Sequence, residues 1–269
     1  MGFLDRFKKQ KEVPARPAKA DTAPRTDEYS PGGSPIYRYK TPEKQGFRPP
    51  ETEAASMEAI EKHMDKIFPN RGGFVYHEIM SDLVHIDVHI LRPAGPDDCY
   101  VVYTTGMSDL PMNLPEEIAD REDLKYAELY ILLPGGWNVG EEGAAARDVP
   151  YESFWPIQML KFLARFPHEY RTWLGWGHTI PNGPQYTPIC DGVGFGGAVL
   201  TQPSLVPPLE TGGRKISFYM MVPAYKEEIE YKLKYGMEGL GQRFVENRMP
   251  MVLDIHRPNC CADFTEVLD

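Results

Sequence analysis

LVHIDVHILRP, residues 83–93, alternates polar and apolar side chains over most of its length. In a β-strand, successive side chains point to opposite faces. One face would carry His85, Asp87 and His89. The other would carry Ile86, Val88 and Ile90. The pattern predicts a strand whose apolar face supplies the core, while its polar face is solvated or turned toward a partner.

Three further runs near this strand are rich in aromatic and β-branched residues. They are GFVYHEI (73–79), CYVVYTTG (99–106) and YAELYILLP (126–134). Such runs, separated by Gly and Pro, are typical of β-strands. Four strands within about 60 residues, with few helices between them, predict an antiparallel or mixed sheet.

Helical periodicity lies on both sides of this β-rich part. Residues 52–68 and residues 152–170 each repeat apolar side chains on one helical face. KISFYMMVP (215–223) predicts another strand, followed by a helix that Gly236 ends and a further helix to about residue 247. We find no internal repeat and no linker after residue 50. The sequence therefore predicts one domain of the α/β (α+β) class over residues 51–269.

The first 50 residues have a different composition. They hold 8 of the 26 prolines, and 11 Lys and Arg against 6 Asp and Glu. With few aliphatic side chains they cannot bury enough apolar surface to offset the entropy of ordering, so residues 1–50 are predicted to be a disordered basic tail. Its tip, MGFLDRFKKQK (1–11), would give a weak contact with an anionic membrane or a partner, although so short a helix is more often a frayed end.

The chain carries no sequence signal for a membrane or for secretion. No run approaches the roughly 18–20 apolar residues of a membrane-spanning helix, and no signal peptide opens the sequence. The expected location is the cytoplasm. The four cysteines lack C-x-x-C spacing and are expected to be reduced thiols.

Charge restricts the choice of partner. Residues 51–269 carry 18 Lys and Arg against 33 Asp and Glu, within a net charge of −10 for the whole chain. So acidic a body repels phosphate backbones, which argues against nucleic acid as the main ligand. A basic or neutral protein partner is expected instead.

HIDVH, residues 85–89, also allows a metal-binding interpretation. Two imidazoles and a carboxylate are suitable ligands for zinc or iron. Same-face residues of a strand are about 7 Å apart, however, so all three reach one ion only if the strand is twisted or bulged. A metal-dependent enzyme using His85, Asp87 and His89 is therefore the alternative to a strand face that binds no metal.

Other catalytic and nucleotide-binding patterns are weak or missing. Glycines at positions 192, 194 and 197 satisfy G-x-G-x-x-G, but prolines at 203, 207 and 208 leave no room for the helix that must follow. The sequence has no Walker loop, G-x-S-x-G or H-E-x-x-H motif. The common hydrolase and dinucleotide-binding arrangements therefore have no support, and no cofactor is expected.

Trp173, Trp176 and His178 lie in a stretch rich in Gly and Pro. Loop aromatics either line a recognition surface or pack beneath the loop, and the spacing does not decide between these roles. For His178, the sequence supports a hydrogen-bonded structural role and a contact with a ligand equally.

Four blocks of sequence form a larger pattern. They are VVYTTGMSDLPMN (101–113), YAELYILLP (126–134), FWPIQMLKFLARFPHEYRTWLGWGHTIPNG (154–183) and ISFYMMVPAYKEEIEYKLKYG (216–236). Together they resemble the bacterial members of the Suppressor of fused domain family, over roughly residues 57–247. The resemblance implies a mixed central β-sheet flanked by helices and no known catalytic centre. Animal relatives grip an extended peptide of a transcription factor as an added strand, and many bacterial members resemble immunity proteins that block a toxin.

The resemblance implies a non-enzymatic protein-binding module that serves in immunity, scaffolding or regulation. The positions in the matching blocks that are expected to contact the partner are Tyr126, Glu128, Tyr130, Trp173, Trp176, His178 and Asn182. Asp109 and Asp123 are acidic positions that are expected to receive a basic or hydroxyl-bearing peptide. Animal relatives carry a further C-terminal domain that this chain is too short to contain, so their particular partner is not carried over.

Overall fold

A mixed sheet of eight β-strands forms the centre of the computed structural model, which describes residues 24–40, 54–78, 83–143 and 148–265. The strands are β1 (Gly73–Tyr76), β2 (Asp87–Leu91), β3 (Cys99–Thr105), β4 (Tyr126–Pro134), β5 (Thr179–Pro181), β6 (Gly197–Thr201), β7 (Leu209–Thr211) and β8 (Arg214–Ala224). The helices are α1 (Ala54–Ile67), α2 (Tyr151–Glu169) and α3 (Lys226–Glu246). Three short 3₁₀ turns, Met107–Asp109, Glu116–Ile118 and Glu122–Leu124, precede β4.

The strand order is β1-β2-β3-β4-β8-β6-β5, and β7 pairs with β8 beyond the end of β6. Strands β1 to β4 form an antiparallel meander. β4 then pairs in parallel with β8, so that Tyr126 lies opposite Ile216. β8 pairs antiparallel with β6, and β6 with the edge strand β5. This architecture confirms the predicted mixed sheet flanked by helices.

The helices cover both faces of the sheet and bury two apolar cores. On one face, α2 contributes Trp155, Leu160 and Leu163 to a core shared with β2 and β4. On the other face, α1 and α3 pack over the alternate side chains of the same strands. Because both faces are covered, β4 is apolar at nearly every position, as expected for an interior strand.

The prediction of a solvated polar face on β2 is wrong. Asp87 and His89 are buried, and all five residues of β2 are buried. The reason is α1, whose apolar side chains pack on the second core and whose Glu61 carboxylate approaches the His89 ring at 3.6 Å. The apolar face behaves as predicted, since Ile86, Val88 and Ile90 join the core beneath α2.

α3 is bent where the sequence predicts a helix end. Gly236 has φ 77° and ψ 176°, which interrupts the helical backbone between two helical segments. A side chain in this left-handed region is strained, so glycine is the residue that allows the bend. The bend lies beside the turn that precedes β5, because a Cβ atom at Gly177 would lie 3.2 Å from the Cβ atom of Met237.

Residues 24–40, within the predicted tail, form a small hairpin that we call the N-terminal hairpin. An isolated bridge joins Tyr29 to Pro35, and Gly32 donates its amide to the Leu233 carbonyl of α3 at 2.9 Å. The Tyr39 hydroxyl lies 2.5 Å from that of Thr172.

The tip 1–11 is outside the described residues, so its membrane contact and the domain boundary at residue 50 stay predictions. Within the described ranges, no helix has the length and apolar character needed to cross a bilayer.

Replacing Gly106 by alanine is expected to lower the free energy of unfolding by at least about 2 kcal/mol. Gly106 has φ +98°, and a Cβ atom there would lie 1.8 Å from the carbonyl oxygen of His85. Gly213→Ala is the matched control, because Gly213 has φ +73° but no atom within 4 Å of an added Cβ. Urea denaturation of both variants separates the effect of backbone strain from that of the steric clash. Equal losses of unfolding free energy would show that the clash with His85 adds nothing.

Candidate functional site

The three β4 positions expected to contact a partner differ in accessibility. Glu128 and Tyr130 are fully buried in the sheet, whereas Tyr126 at the strand's start is only partly buried. The Tyr126 ring lies 5.0 Å from the Arg214 guanidinium of β8, which packs over it. β4 pairs with β3 over Tyr130–Pro134 and with β8 over Tyr126–Tyr130, so neither of its edges is free along the whole strand. Of these three positions, only Tyr126 is therefore accessible to a partner.

Glu128 forms a closed polar cluster inside the sheet. Its carboxylate accepts hydrogen bonds from the Ser108 amide at 2.9 Å, the Ser108 hydroxyl at 2.7 Å and the Thr104 hydroxyl at 2.7 Å. Burial raises the pKa of Glu128 to about 8, and the nearby charge of Asp109 contributes in the same direction. These contacts hold the 3₁₀ turn Met107–Asp109 against β4, so Glu128 has a structural role in this fold.

Asp109 and Asp123 lie near the start of β4 without forming an open acidic surface. Asp123 accepts two hydrogen bonds of 2.8 Å from the Arg121 guanidinium. Hydrogen bonding to Arg121 lowers the pKa of Asp123, with a small further contribution from the charge of Lys215. Asp109 is only partly exposed. A basic peptide would therefore compete with Arg121 for Asp123.

The four remaining positions lie together, in residues 173–182, which we call the turn block. Trp176 is 52% exposed. Trp173 is half-buried, and the His178 ring packs edge-on against it at a centroid distance of 4.3 Å. Burial lowers the pKa of His178 to about 4. Asn182 is exposed, but its side-chain amide donates to the Thr187 carbonyl at 2.8 Å. Trp176 is thus the most accessible apolar side chain of the block, while His178 fits the structural interpretation.

The turn block includes the edge strand β5. On either side of β5, the His178 carbonyl accepts a hydrogen bond from the Leu200 amide of β6 at 2.9 Å, and the Asn182 amide donates to the carbonyl of Gly196, just before β6, at 2.8 Å. In an antiparallel pair, alternate residues direct their backbone groups to opposite sides. Thr179 and Pro181 therefore turn theirs away from β6, toward the edge that no other described strand occupies.

A second cluster lies at the opposite edge, between β1 and β2. The His77 Nδ1 atom is 2.9 Å from one carboxylate oxygen of Asp87, and the His85 Nε2 atom is 3.0 Å from the other. The nearest ligand atoms of the three residues all lie within 4.8 Å of one another. His89 lies elsewhere: its Nε2 atom is 3.0 Å from the Thr105 hydroxyl, and its ring stacks on Tyr103. Of the three residues in the metal interpretation, the structure thus brings together His85 and Asp87 only.

His77 is the residue that sequence reasoning missed. It ends the run GFVYHEI, and the register that places Tyr76 opposite Val88 places His77 opposite Asp87 when continued by one residue. A histidine at the end of one predicted strand, with H-x-D starting the next, is the signal that could have found it. Using this signal requires the hairpin register, which the long connection between the strands does not fix.

The fold and the sites define first a class of protein: a three-layer α+β domain with one mixed sheet, an exposed tryptophan beside one edge strand, and a histidine–aspartate cluster beside the other. The chain belongs to the Suppressor of fused family. The family model described as Suppressor of fused protein (SUFU) matches residues 82–258, which is more than half of the chain. None of the curated proteins compared with the chain matched it.

Solved structures of the same fold include bacterial and animal proteins. A suppressor of fused homologue from Neisseria gonorrhoeae is 15% identical, with a TM-score of 0.55, and the match covers 76% of this chain and 96% of that protein. A chain of the Sufu–Fu complex is 14% identical, with a TM-score of 0.54, and the match covers 81% of this chain and 100% of that chain. Drosophila Suppressor of Fused is 13% identical, with a TM-score of 0.53. The match covers 77% of this chain and 51% of the Drosophila chain, so this protein spans about half of its length.

Proposed function

We propose that this protein is a non-enzymatic binding protein that captures a segment of another protein at the turn block. The observation that carries the proposal is the half-exposed Trp176, which lies beside the edge strand β5 and the bend of α3. Exposed tryptophans rimmed by polar residues are frequent anchors of protein interfaces. A chain of the same fold is known in a Sufu–Fu complex, which supports a protein as the kind of partner.

The backbone of β5 supports a particular mode of capture. Thr179 offers an amide and a carbonyl at the outer edge, whereas Pro181 has no amide and its carbonyl already accepts a hydrogen bond from the Gly183 amide at 3.0 Å. An extended segment could therefore add as a short strand, but a long ladder cannot form past the proline. In this mode a few backbone bonds align the segment, and apolar contact with Trp176 contributes most of the affinity.

Charge supports a basic or neutral segment. The described domain lies in the part of the chain that carries 33 Asp and Glu against 18 Lys and Arg. A partner of the opposite charge would be steered toward this surface, and its association rate would fall as salt increases. The same balance disfavours nucleic acid as the ligand.

Neutralisation of a toxin in the bacterial cytoplasm is our proposal for the biological role, with scaffolding or regulation as the broader alternative. A small, acidic binding protein suits the capture of a basic toxin. A toxin-like reading frame beside the gene, whose product loses its toxicity when the two proteins are co-expressed, would support immunity. If toxicity is unchanged on co-expression, immunity is excluded and scaffolding or regulation is the remaining role.

Replacing Trp176 by alanine is expected to weaken partner capture at least tenfold, because an anchoring tryptophan at an interface is typically worth about 2 kcal/mol or more. The partner would first be isolated from the native cell by affinity capture and then titrated by calorimetry. Phe162→Ala is the matched control, since Phe162 is 46% exposed but lies on α2, whereas Trp176 is adjacent to Gly177, which lies beside Met237 of α3. That variant should bind as the wild type does.

A photo-crosslinking amino acid at position 176 gives a test that does not depend on affinity. It should yield a specific crosslink to the captured protein, whereas the same group at the exposed Val245 of α3 should not. Equal binding by the Trp176→Ala and wild-type proteins, or crosslinks from position 245 alone, would place the partner on another surface and contradict the proposal.

A further inference from the structure

The His77–His85–Asp87 cluster is built by the pairing of β1 with β2. His77 follows the last residue of β1, and Asp87 is the first residue of β2. Non-hydrogen-bonded positions of an antiparallel pair bring opposing side chains closest, and the β1–β2 register continues to such a position at His77 and Asp87. His85 lies two residues before Asp87, so its side chain shares the same face. The three groups thus converge without any bulge in β2.

The carboxylate of Asp87 is buried without a permanent positive partner. Its described contacts are the two imidazoles and the Glu78 amide, which donates to it at 3.0 Å. Within the described part of the chain, no Lys or Arg side chain forms an ion pair with Asp87. A buried carboxylate is costly unless a cation or several hydrogen bonds balance its charge. A bound divalent cation would supply that balance.

The donor atoms suit a transition metal. Two imidazole nitrogens and one carboxylate oxygen bind Zn²⁺ at about 2.0–2.2 Å and leave at least one position for water. Ligands at that radius in a tetrahedral site lie about 3.3 Å apart. The separations of 2.9 and 3.0 Å from Asp87 are slightly shorter than this spacing, and the two imidazole nitrogens lie within 4.8 Å of each other, so small side-chain shifts bring all three donors to it. His77 can make such a shift because 69% of its side-chain surface is exposed.

Neighbouring groups add negative charge around the cluster. The Glu61 carboxylate of α1 is close enough to Asp87 and His77 to interact with both electrostatically. Burial raises the pKa of Glu61, and the charges of Asp65, Glu58 and Asp87 act in the same direction. Such a field favours a cation at the edge of the sheet.

We propose that His77, His85 and Asp87 bind a divalent transition-metal ion, with Zn²⁺ as the best match to this donor set. The site is distinct from the turn block, which lies at the opposite edge of the sheet. The ion would tie the end of β1 to the start of β2 and so stabilise the sheet edge. This structural role requires no catalytic step. The proposed ligand set differs from His85, Asp87 and His89 in that His77 takes the place of His89.

The experiment uses the full chain, treated with a chelator and desalted, then titrated with zinc chloride in competition with a chromophoric zinc chelator. We expect one Zn²⁺ per chain. His77→Ala and His85→Ala should each weaken binding by more than about tenfold, because even the loss of an outer-shell partner costs roughly 10–100-fold. His256→Ala is the matched control, since His256 is exposed and remote in the chain, and it should bind Zn²⁺ as the wild type does.

Two further measurements protect the test against misfolded variants and against zinc on thiols. Zn²⁺ should raise the thermal unfolding midpoint of the wild type and of His256→Ala but not of His77→Ala, whose fold circular dichroism can verify. The Co²⁺-loaded protein should lack thiolate-to-metal charge-transfer absorption. Absence of saturable zinc binding, equal affinity in the His77→Ala and wild-type proteins, or a thiolate band would each overturn the proposal.

Discussion

Replacing Arg257 by methionine is expected to lower the free energy of unfolding by about 3–5 kcal/mol. Arg257 and Glu228 form a buried ion pair in which Nη1 and Nη2 each donate to a carboxylate oxygen at 2.6 Å. Glu228 is fully buried, so the variant leaves a carboxylate in the core without its cation. Breaking such a pair costs far more than the pair itself contributes, because the remaining charge is desolvated.

Arg257 also connects three parts of the fold. Its Nη2 atom donates to the Pro223 carbonyl of β8 at 2.9 Å, and its guanidinium lies 5.0 Å from the ring centroids of both Phe195 and Tyr225. Methionine fills part of the same space but replaces none of these hydrogen bonds. The loss should therefore affect the junction of β8, α3 and the C-terminal segment together.

Urea denaturation of the Arg257→Met protein measures this loss directly. Arg121→Met is the matched control, because Arg121 also forms a two-bond pair, with Asp123, but on the surface. Exposed pairs contribute about 0–1 kcal/mol, so the control should be nearly as stable as the wild type. Similar losses in the two variants would show that the burial of the Glu228–Arg257 pair is not what makes it important.

Replacing Glu128 by glutamine is expected to remove a decline of stability with rising pH. Burial raises the pKa of Glu128 to about 8 in the folded protein, from a reference value of 4.5. Between these two values the folded state binds more protons than the unfolded state, so the free energy of unfolding falls as pH rises. The slope that one such group contributes reaches about 1.4 kcal/mol per pH unit.

The measurement is the difference in unfolding free energy between Glu128→Gln and wild type at several pH values from 5 to 8. The difference should grow in favour of the variant as pH rises. Burial lowers the pKa of His89, His168 and His178 to about 4, and these groups are common to both proteins, so their effects cancel. Thr104→Val keeps the titrating carboxylate and should retain the wild-type decline. Parallel curves for Glu128→Gln and wild type would contradict a raised pKa.

The parts of the fold that sequence predicts well are those in which the local pattern and the final environment agree. YAELYILLP coincides with β4, Tyr126–Pro134, and the helix end predicted at Gly236 is the bend of α3. The apolar period of residues 152–170 matches α2. In each of these segments, the spacing of apolar side chains is dictated by one large buried face.

The remaining strands depend on pairing that no local pattern reveals. β6, Gly197–Thr201, is a short apolar run after a glycine-rich turn, and β5 and β7 have three residues each. β6 and β7 become strands because β8 offers them a pairing edge, and β5 becomes a strand because β6 offers it one. A short apolar run by itself does not separate a strand from a packed loop.

In the candidate sites, too, some features follow from local sequence and others only from the packing of separate elements. The sequence leaves open whether Trp176 is exposed or packed beneath its loop, and the structure exposes it, whereas the burial of Glu128 between β3 and β8 follows from the sheet order. α1 covers the His89 side of β2, and that docking is a tertiary contact between separate elements. A polar alternation indicates which side chains share a face, but only packing determines whether water reaches that face.

The parallel pairing of β4 with β8 joins Tyr126 to Ile216, 90 residues further along the chain. Within the meander, β1 to β4 pair only with their neighbours in sequence, so this part is complete on the ribosome well before β8 has been synthesised. At synthesis rates of about 5–20 residues per second, the interval is roughly 5–20 s. Throughout it, the apolar edge of β4 has no partner, and another strand from the same or a neighbouring nascent chain can pair there in place of β8.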